Sequence, residues 1–294
     1  NAGSVVNLDG NFTKTIGANF NNKGTFNWVT GNTSGDIALS NSVFTNDGLI
    51  NETFSSNRGF VNNGGAVAIV NNGTFKKMSS NSFLNNGISF TNTGTLQGIG
   101  SFNFTPGTIV NNGIVKPGNS PGILFISEGA ITGQNSSIRI EIFDGSGPRS
   151  GHNQLDLTGN ISLSGNRLIV TENAGVPVQS YVIMTTTGTF TGTFTSASLP
   201  AGYSITYNSD NVVVSKASGT LPVVWGVFDV IETSGQAELK WTTLQEENTS
   251  YFEVEHSTNG ISFEKIGIVQ AQGRGSFSNN YYFQHRNLNL YGVN

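Results

Sequence analysis

The chain has 294 residues, of which 11% are charged and 36% hydrophobic, with 38 glycines, 20 phenylalanines, no cysteine and a formal charge of −4. That charge excludes a basic nucleic-acid footprint, and the lack of cysteine excludes disulfide staples and thiolate metal sites. The phenylalanines are spread along the sequence and give each segment something to bury, which a charge-rich disordered chain does not have.

The chain opens at Asn1 without Met or a charged-then-apolar leader, which reads as a mature start after signal-peptide removal or as an artificial boundary. No apolar run reaches bilayer-spanning length, and no segment keeps a helical period. Residues 20–115 instead carry a repeat, apolar-x-Asn-x-Gly-x-apolar. It reads Phe20-Asn21-Asn22-Lys23-Gly24-Thr25-Phe26, then Phe44-Thr45-Asn46-Asp47-Gly48-Leu49-Ile50. It returns as Ile69-Val70-Asn71-Asn72-Gly73-Thr74-Phe75, as Phe90-Thr91-Asn92-Thr93-Gly94-Thr95-Leu96, and as Ile109-Val110-Asn111-Asn112-Gly113-Ile114-Val115. Weaker copies sit at Asn62-Asn63-Gly64 and Asn85-Asn86-Gly87.

The glycine steps of 24, 25, 21 and 19 residues match one solenoid coil of variable length. Period two puts Phe20, Asn22, Gly24 and Phe26 on one face of an extended chain. Gly tolerates positive φ and Asn visits the left-handed region, so each Asn-x-Gly is predicted at a corner between two strands. Stacked corners predict an amide ladder beside continuous apolar columns. The residues expected to serve corner geometry and stacking, not ligand chemistry, are Asn22, Gly24, Asn46, Gly48, Asn71, Gly73, Asn92, Gly94, Asn111 and Gly113. Replacing Asn72 or Asn92 with Leu is expected to lower stability. One coil alone cannot offset its ordering entropy, so neighbours and capped ends are required.

From Lys116 the texture changes. A turn cluster, Pro117-Gly118-Asn119-Ser120-Pro121-Gly122, precedes predicted strands at 123–127, 137–143, 154–157, 167–171 and 181–185. Strands 204–207 and 212–215 are joined by the hairpin signal Asn208-Ser209-Asp210-Asn211. The run Pro117-Gly118-Asn119-Ser120-Pro121-Gly122-Ile123-Leu124, with Ile138-Arg139-Ile140-Glu141-Ile142, Asn153-Gln154-Leu155-Asp156-Leu157-Thr158-Gly159 and Leu199-Pro200-Ala201-Gly202-Tyr203, resembles the end of autotransporter-like secreted β-helices. The resemblance covers roughly residues 20–216 and implies a right-handed parallel β-solenoid. It implies no activity, since such passengers include adhesins, proteases and inert stalks.

A second boundary lies at Lys216-Ala217-Ser218-Gly219-Thr220. Residues 1–220 hold 10 acidic and 10 basic residues, and the last 74 hold 8 and 4, so the composition shifts across a Ser/Gly linker. Strands are predicted at 221–230, 237–242, 251–256 and 263–269, with turns at Ser234-Gly235 and Thr258-Asn259-Gly260. Leu221-Pro222-Val223, Leu239-Lys240-Trp241-Thr242-Thr243, Tyr251-Phe252-Glu253-Val254-Glu255, Ser257-Thr258-Asn259-Gly260 and Asn280-Tyr281-Tyr282-Phe283 carry a second resemblance. This part is similar to the fibronectin type III-like module of surface proteins in gliding, type IX-secreting bacteria. That family continues after Gly292-Val293-Asn294 with two more strands and a sorting domain. The resemblance therefore implies an incomplete β-sandwich with an open sheet edge. The expected domains are a solenoid at 1–125, its continuation and cap at 126–218, and the module at 221–294.

Signals for chemistry are weak. His152, His256 and His285 are the only histidines, and none lies at metal-ligand spacing from another. No Gly-x-Ser-x-Gly elbow on a strand-to-helix turn is present. Asp144 and Asp156 flank a Gly-rich loop with Arg149 and His152, the best candidate for a small polar or calcium site. The Thr185–Thr193 stretch carries Thr-x-Thr, but an ice-binding array repeats it at coil spacing, and such a stretch occurs here once. Glu246, Glu247, Glu253 and Glu255 are expected to serve solubility and edge protection, and Trp225 and Trp241 to lie in the core of the module. The expectation is an all-β, secreted or cell-surface protein with no catalytic, cofactor or metal residues and no membrane span. It would be structural or adhesive, with further copies of itself, head to tail, or surface glycans as partners. A fibre built by strand complementation is one form, and a carbohydrate-binding or carbohydrate-cleaving β-helix is the alternative.

Overall fold

The computed structural model describes residues 3–10, 12–30, 35–104, 108–127, 135–217, 223–233, 235–246, 249–272 and 278–286. Every regular element among them is a β-strand. The chain divides into two compact units, Asn1–Ala217 and Ser218–Asn294.

In the first unit the chain visits three sheets in turn and stacks on itself one coil later. Val5–Leu8 lies in sheet A, Lys14–Ile16 in sheet B and Phe20–Asn22 in sheet C; the cycle then repeats with Thr25–Thr30, Ile37–Leu39 and Val43–Asn46. Sheet A has nine strands, sheet B ten and sheet C five. All pairings in sheets A and C are parallel, which is the architecture of a parallel β-solenoid. At about 4.8 Å per parallel strand, sheet A extends roughly 40 Å along the stack.

Register explains how the alternation fills the interior. In sheet A, Phe26 pairs with Ile50, Ile50 with Phe75, Phe75 with Leu96 and Leu96 with Val115, one inward column, each residue buried. In sheet C, Phe20, Phe44, Ile69, Phe90 and Ile109 make a second column. Aromatic rings on sheets A and B meet in the centre, within and between the sheets. Trp28 lies 5.0 Å from Phe54 and 5.1 Å from Phe60, and Phe75 lies 4.9 Å from Phe83 and 5.1 Å from Phe102, all edge to face. Such pairs add about 0.5–1.5 kcal/mol each beyond area burial. The Trp28 indole N–H, deep in this core, donates to Gly35 O at 2.9 Å.

Sheet B ends differently. The hairpin of Tyr203–Tyr207 and Asn211–Lys216 pairs antiparallel, and its second strand pairs antiparallel with Ser180–Thr186. Reversal of direction stops the parallel repeat, and the predicted Asn208–Asn211 turn is where the chain turns back. Glu172 ties the hairpin down. It accepts from the Tyr203 hydroxyl at 2.8 Å and pairs with Lys216 at 2.8 Å, while Lys216 also donates to Val176 O at 3.0 Å.

Burial, reinforced by the hydrogen bond to Glu172 and its charge, raises the Tyr203 pKa far above its ordinary value. A raised folded-state pKa gives stability that is complete below the unfolded value near 10 and is lost as pH climbs toward the folded value. Denaturation between pH 8 and 11.5 should therefore show stability falling above pH 10. Tyr203→Phe should flatten that slope, and equal slopes in both proteins would contradict the link.

The solenoid strands begin and end close to expectation; for example Gln154–Leu157 coincides with the predicted span, and Ser137–Ile142 and Arg167–Glu172 differ by one residue.

The second unit has a three-stranded antiparallel sheet of Val224–Thr233, Gln236–Gln245 and Asn279–Arg286. A two-stranded antiparallel sheet pairs Tyr251–His256 with Glu264–Gln270. Trp241, Phe252, Val254 and Tyr281 form their shared core. Leu221, Ser234 and Glu247 fall outside the described residues. One expectation fails here: Trp225 is 55% exposed, not core. It sits on an edge strand exposed along its whole length, and register shifts on both sides of Trp225 break the inward alternation.

Candidate functional site

The five Asn-x-Gly units occupy equivalent corners from sheet C to sheet A. Each Asn is the last residue of its sheet C strand, and the sheet A strand begins just after the Gly. Asn22, Asn46, Asn71, Asn92 and Asn111 are all buried and point inward. Their side chains form one continuous ladder. Each Nδ2 donates to the Oδ1 of the next coil: 2.7 Å from Asn22 to Asn46, 2.7 Å to Asn71, 2.6 Å to Asn92 and 2.6 Å to Asn111. The same amides donate to the carbonyls of Leu49, Thr74 and Thr95 on the following coil, while Oδ1 of Asn22 and Asn111 accepts from the N–H of Gly24 and Gly113. Among the described residues Asn111 Nδ2 ends the ladder without a partner.

The glycines are needed for a different reason from the one expected. None of Gly24, Gly48, Gly73, Gly94 and Gly113 adopts a left-handed φ, and neither do the ladder asparagines. They are required by close approach. A Cβ on Gly48 would stand 2.1 Å from Gly24 O, on Gly73 2.0 Å from Gly48 O, on Gly94 2.0 Å from Gly73 O and on Gly113 2.1 Å from Gly94 O. Glycine packs on the backbone of glycine at every step. Left-handed φ belongs to the weaker copies, Gly64 at 107° and Gly87 at 73°, which turn the chain from sheet B into sheet C.

Outside the same corner runs a second, exposed polar chain. Asp47 accepts from Asn21 and from Asn72, each at 2.8 Å, and Thr93 donates to Asn72 at 2.7 Å. The hydrogen bonds from Asn72 and Asn21 hold the Asp47 carboxyl below its ordinary range. Asn72 is therefore an outward residue, and its expected weight in the inner stack is corrected.

One charged pair among the described residues of the solenoid is fully buried. Lys77 Nζ is 3.0 Å from Glu52 Oε2, and both side chains are 0% exposed. Lys77 also donates to Ser79 O and Oγ, and Glu52 Oε1 accepts from Phe54 N and Ser79 Oγ, each at 2.6 Å. Desolvation pushes the Lys77 pKa down, against the attraction of Glu52. Sequence reading missed this pair because its members sit on successive coils, joined by the register Glu52↔Lys77.

The Gly-rich loop after Ser137–Ile142 is tightly folded. Hydrogen bonds from the Ser146 side chain and from Ser146 N, the latter at 2.7 Å to Asp144 Oδ1, lower the Asp144 pKa, and Gly151 N donates to Gly147 O at 2.7 Å. His152 is buried, its Nε2 lies 2.9 Å from Val182 O, and its ring meets Tyr181 edge to face. Burial lowers its pKa. A donated Nε2–H leaves Nδ1 as a buried acceptor, and it has no partner among the described residues. Asp156 lies outside the loop, on the outer face of sheet B, held by Gln154 Nε2 at 2.6 Å and Thr185 Oγ1 at 2.8 Å. Asp144 and Asp156 thus close on separate local partners, and no three metal-ligating groups converge among the described residues.

The hydroxyls of Thr185, Thr186, Thr187, Thr189 and Thr191 are taken up by the preceding coil; Thr186 donates to Gly159 O at 2.6 Å and Thr189 to Asn160 Oδ1 at 2.9 Å. In the second unit Glu246 is buried, contrary to the solubility role expected of it; Tyr281 OH donates to it at 2.5 Å, and the Thr243 hydroxyl also bonds it. Glu253 and Glu255 are exposed, and Glu253 pairs with Lys265 at 3.2 Å. The His256 and His285 rings, on strands of the two different sheets, lie 5.3 Å apart, a juxtaposition their sequence separation conceals.

No helix is long and apolar enough to cross a membrane among the described residues. No protein-family model, curated protein or solved structure matches the chain.

Proposed function

We propose that the chain is a non-enzymatic, secreted or cell-surface protein whose first unit is a right-handed solenoid stalk with a structural or adhesive role. The observation that carries this reading is where the polar side chains go. The inward asparagines, the Glu52–Lys77 pair and the Thr185–Thr191 hydroxyls bond a neighbouring coil or their own turn, so they serve cohesion along the stack. The motifs that resemble secreted autotransporter-like β-helices supply the compartment. In the second unit, two antiparallel sheets around Trp241, Phe252 and Tyr281 favour the fibronectin type III-like reading. The strand Tyr251–His256 has one described neighbour, Glu264–Gln270, so its other edge could take a strand from a further copy, giving a head-to-tail fibre.

A glycan array and a reducing-sugar assay on polysaccharides test the function. Attachment of protein-coated beads to cell surfaces or glycans without release of reducing sugar is the expected result. Sugar release would replace the adhesive reading with a carbohydrate-cleaving one. Light scattering across a concentration series tests the fibre, and a constant monomer mass would remove it.

A further inference from the structure

On the outer face of sheet B a cleft of about 380 Å³ opens beside the Gly-rich loop, lined by Ser80, Ile99, Ile123, Phe125, Arg149 and Asp156 among others. Its volume lies in the range of small-molecule sites, about 300–1,000 Å³. Phe125 and Ile123 are half-buried and outward on their strand, so they present apolar surface to the cleft while Leu124 and Ile126 face the core. Register sets Phe125 directly beside Asp156, and Asp156 beside Thr185.

The polar groups at this cleft have capacity left over. Asp156 uses Oδ1 for both Gln154 and Thr185, which fixes its rotamer and leaves Oδ2 unengaged among the described residues. Arg149 is exposed, and its guanidinium has no carboxylate partner among the described residues. The Arg149 backbone is held at φ 77°, and Ser120, next to the lining residues Pro121 and Gly122, at φ 72°. Left-handed φ is costly for residues with a side chain and persists only where surrounding contacts impose it. At Arg149 those contacts are its N–H to His152 O at 3.2 Å and the anchoring of His152 to Val182 O. The arginine is thus carried to the cleft by a loop that is already ordered.

We propose that this cleft binds one neutral pyranose unit of a glycan, an inference that rests on the adhesive reading above. The apolar C–H face of the ring lies on Phe125, Asp156 Oδ2 accepts from a pair of ring hydroxyls, and Arg149 donates to a hydroxyl oxygen. Aromatic faces beside charged hydrogen-bonding groups match this amphipathic chemistry. The opposite charges of Arg149 and Asp156 cancel locally, which favours a neutral sugar over an acidic one.

Titration calorimetry of the whole chain with methyl glucoside, galactoside and mannoside, and with neutral oligosaccharides, tests the site. At least one neutral sugar should saturate the protein. Arg149→Ala and Asp156→Asn should each weaken it roughly tenfold, the scale of one charge-assisted hydrogen bond, with the melting temperature unchanged. Equal affinity in both variants, or no saturation by any neutral sugar, overturns the proposal. Bead attachment separates the two readings. Attachment by wild type that survives in the double variant R149A/D156N sinks the site and leaves the adhesive reading standing, whereas attachment lost with sugar binding supports the site.

Discussion

Asn92→Leu is expected to destabilise the first unit by about 3–5 kcal/mol. Asn92 is 0% exposed, accepts from Asn71 and donates to Asn111, both at 2.6 Å, and also faces Gly94 O at 3.3 Å. A leucine has similar bulk but leaves the buried Asn71 donor and Asn111 acceptor short of partners. Each orphaned buried group costs about 1–3 kcal/mol. Asn72→Leu, immediately before Gly73, changes an outward residue whose bonds to Asp47 and Thr93 are exposed. Its cost should stay below about 1 kcal/mol. Urea denaturation of both variants separates them, and equal midpoints would show that the ladder carries no stability of its own.

Lys77→Met should cost a comparable amount, about 3–5 kcal/mol, by leaving the Glu52 carboxylate buried without its cation. The same low-dielectric surroundings that depress the Lys77 pKa make an uncompensated charge expensive. The double variant Lys77→Met/Glu52→Gln removes both charges while an amide oxygen still accepts from Phe54 N and Ser79 Oγ. It should recover most of the lost stability. A cycle of the four proteins gives the coupling, and a single-variant cost below about 1 kcal/mol would mean that water reaches Glu52.

Much of the corner pattern was legible before any coordinates. Asn-x-Gly between apolar residues encodes strand, turn and strand within seven residues, and the period of two names the inward positions Phe90 and Asn92 directly. The cleft was half legible. Arg149, His152 and Asp156 stood out in a Gly-rich stretch, but Phe125 and Ser80 reach the same cleft only through coil-to-coil register. Trp225 misled for the opposite reason: its residue type says core, while the register shifts around it place it on an exposed edge.

Sequence alone therefore determined the all-β class, the coil period, the corner positions and the closing hairpin, because each is written in local alternation and turn chemistry. Tertiary structure decided what those residues are for. The corner glycines answer to a carbonyl one coil away and not to their own φ. The period of two already put Asn71 on the inner face, but only stacking shows that its neighbour Asn72 bonds Asp47 outside the ladder. Glu52 finds Lys77, and Glu246 finds Tyr281, across separations that no local pattern records. In a solenoid the energetically decisive neighbour lies directly above, roughly one coil along the chain, and stacking alone sets that distance.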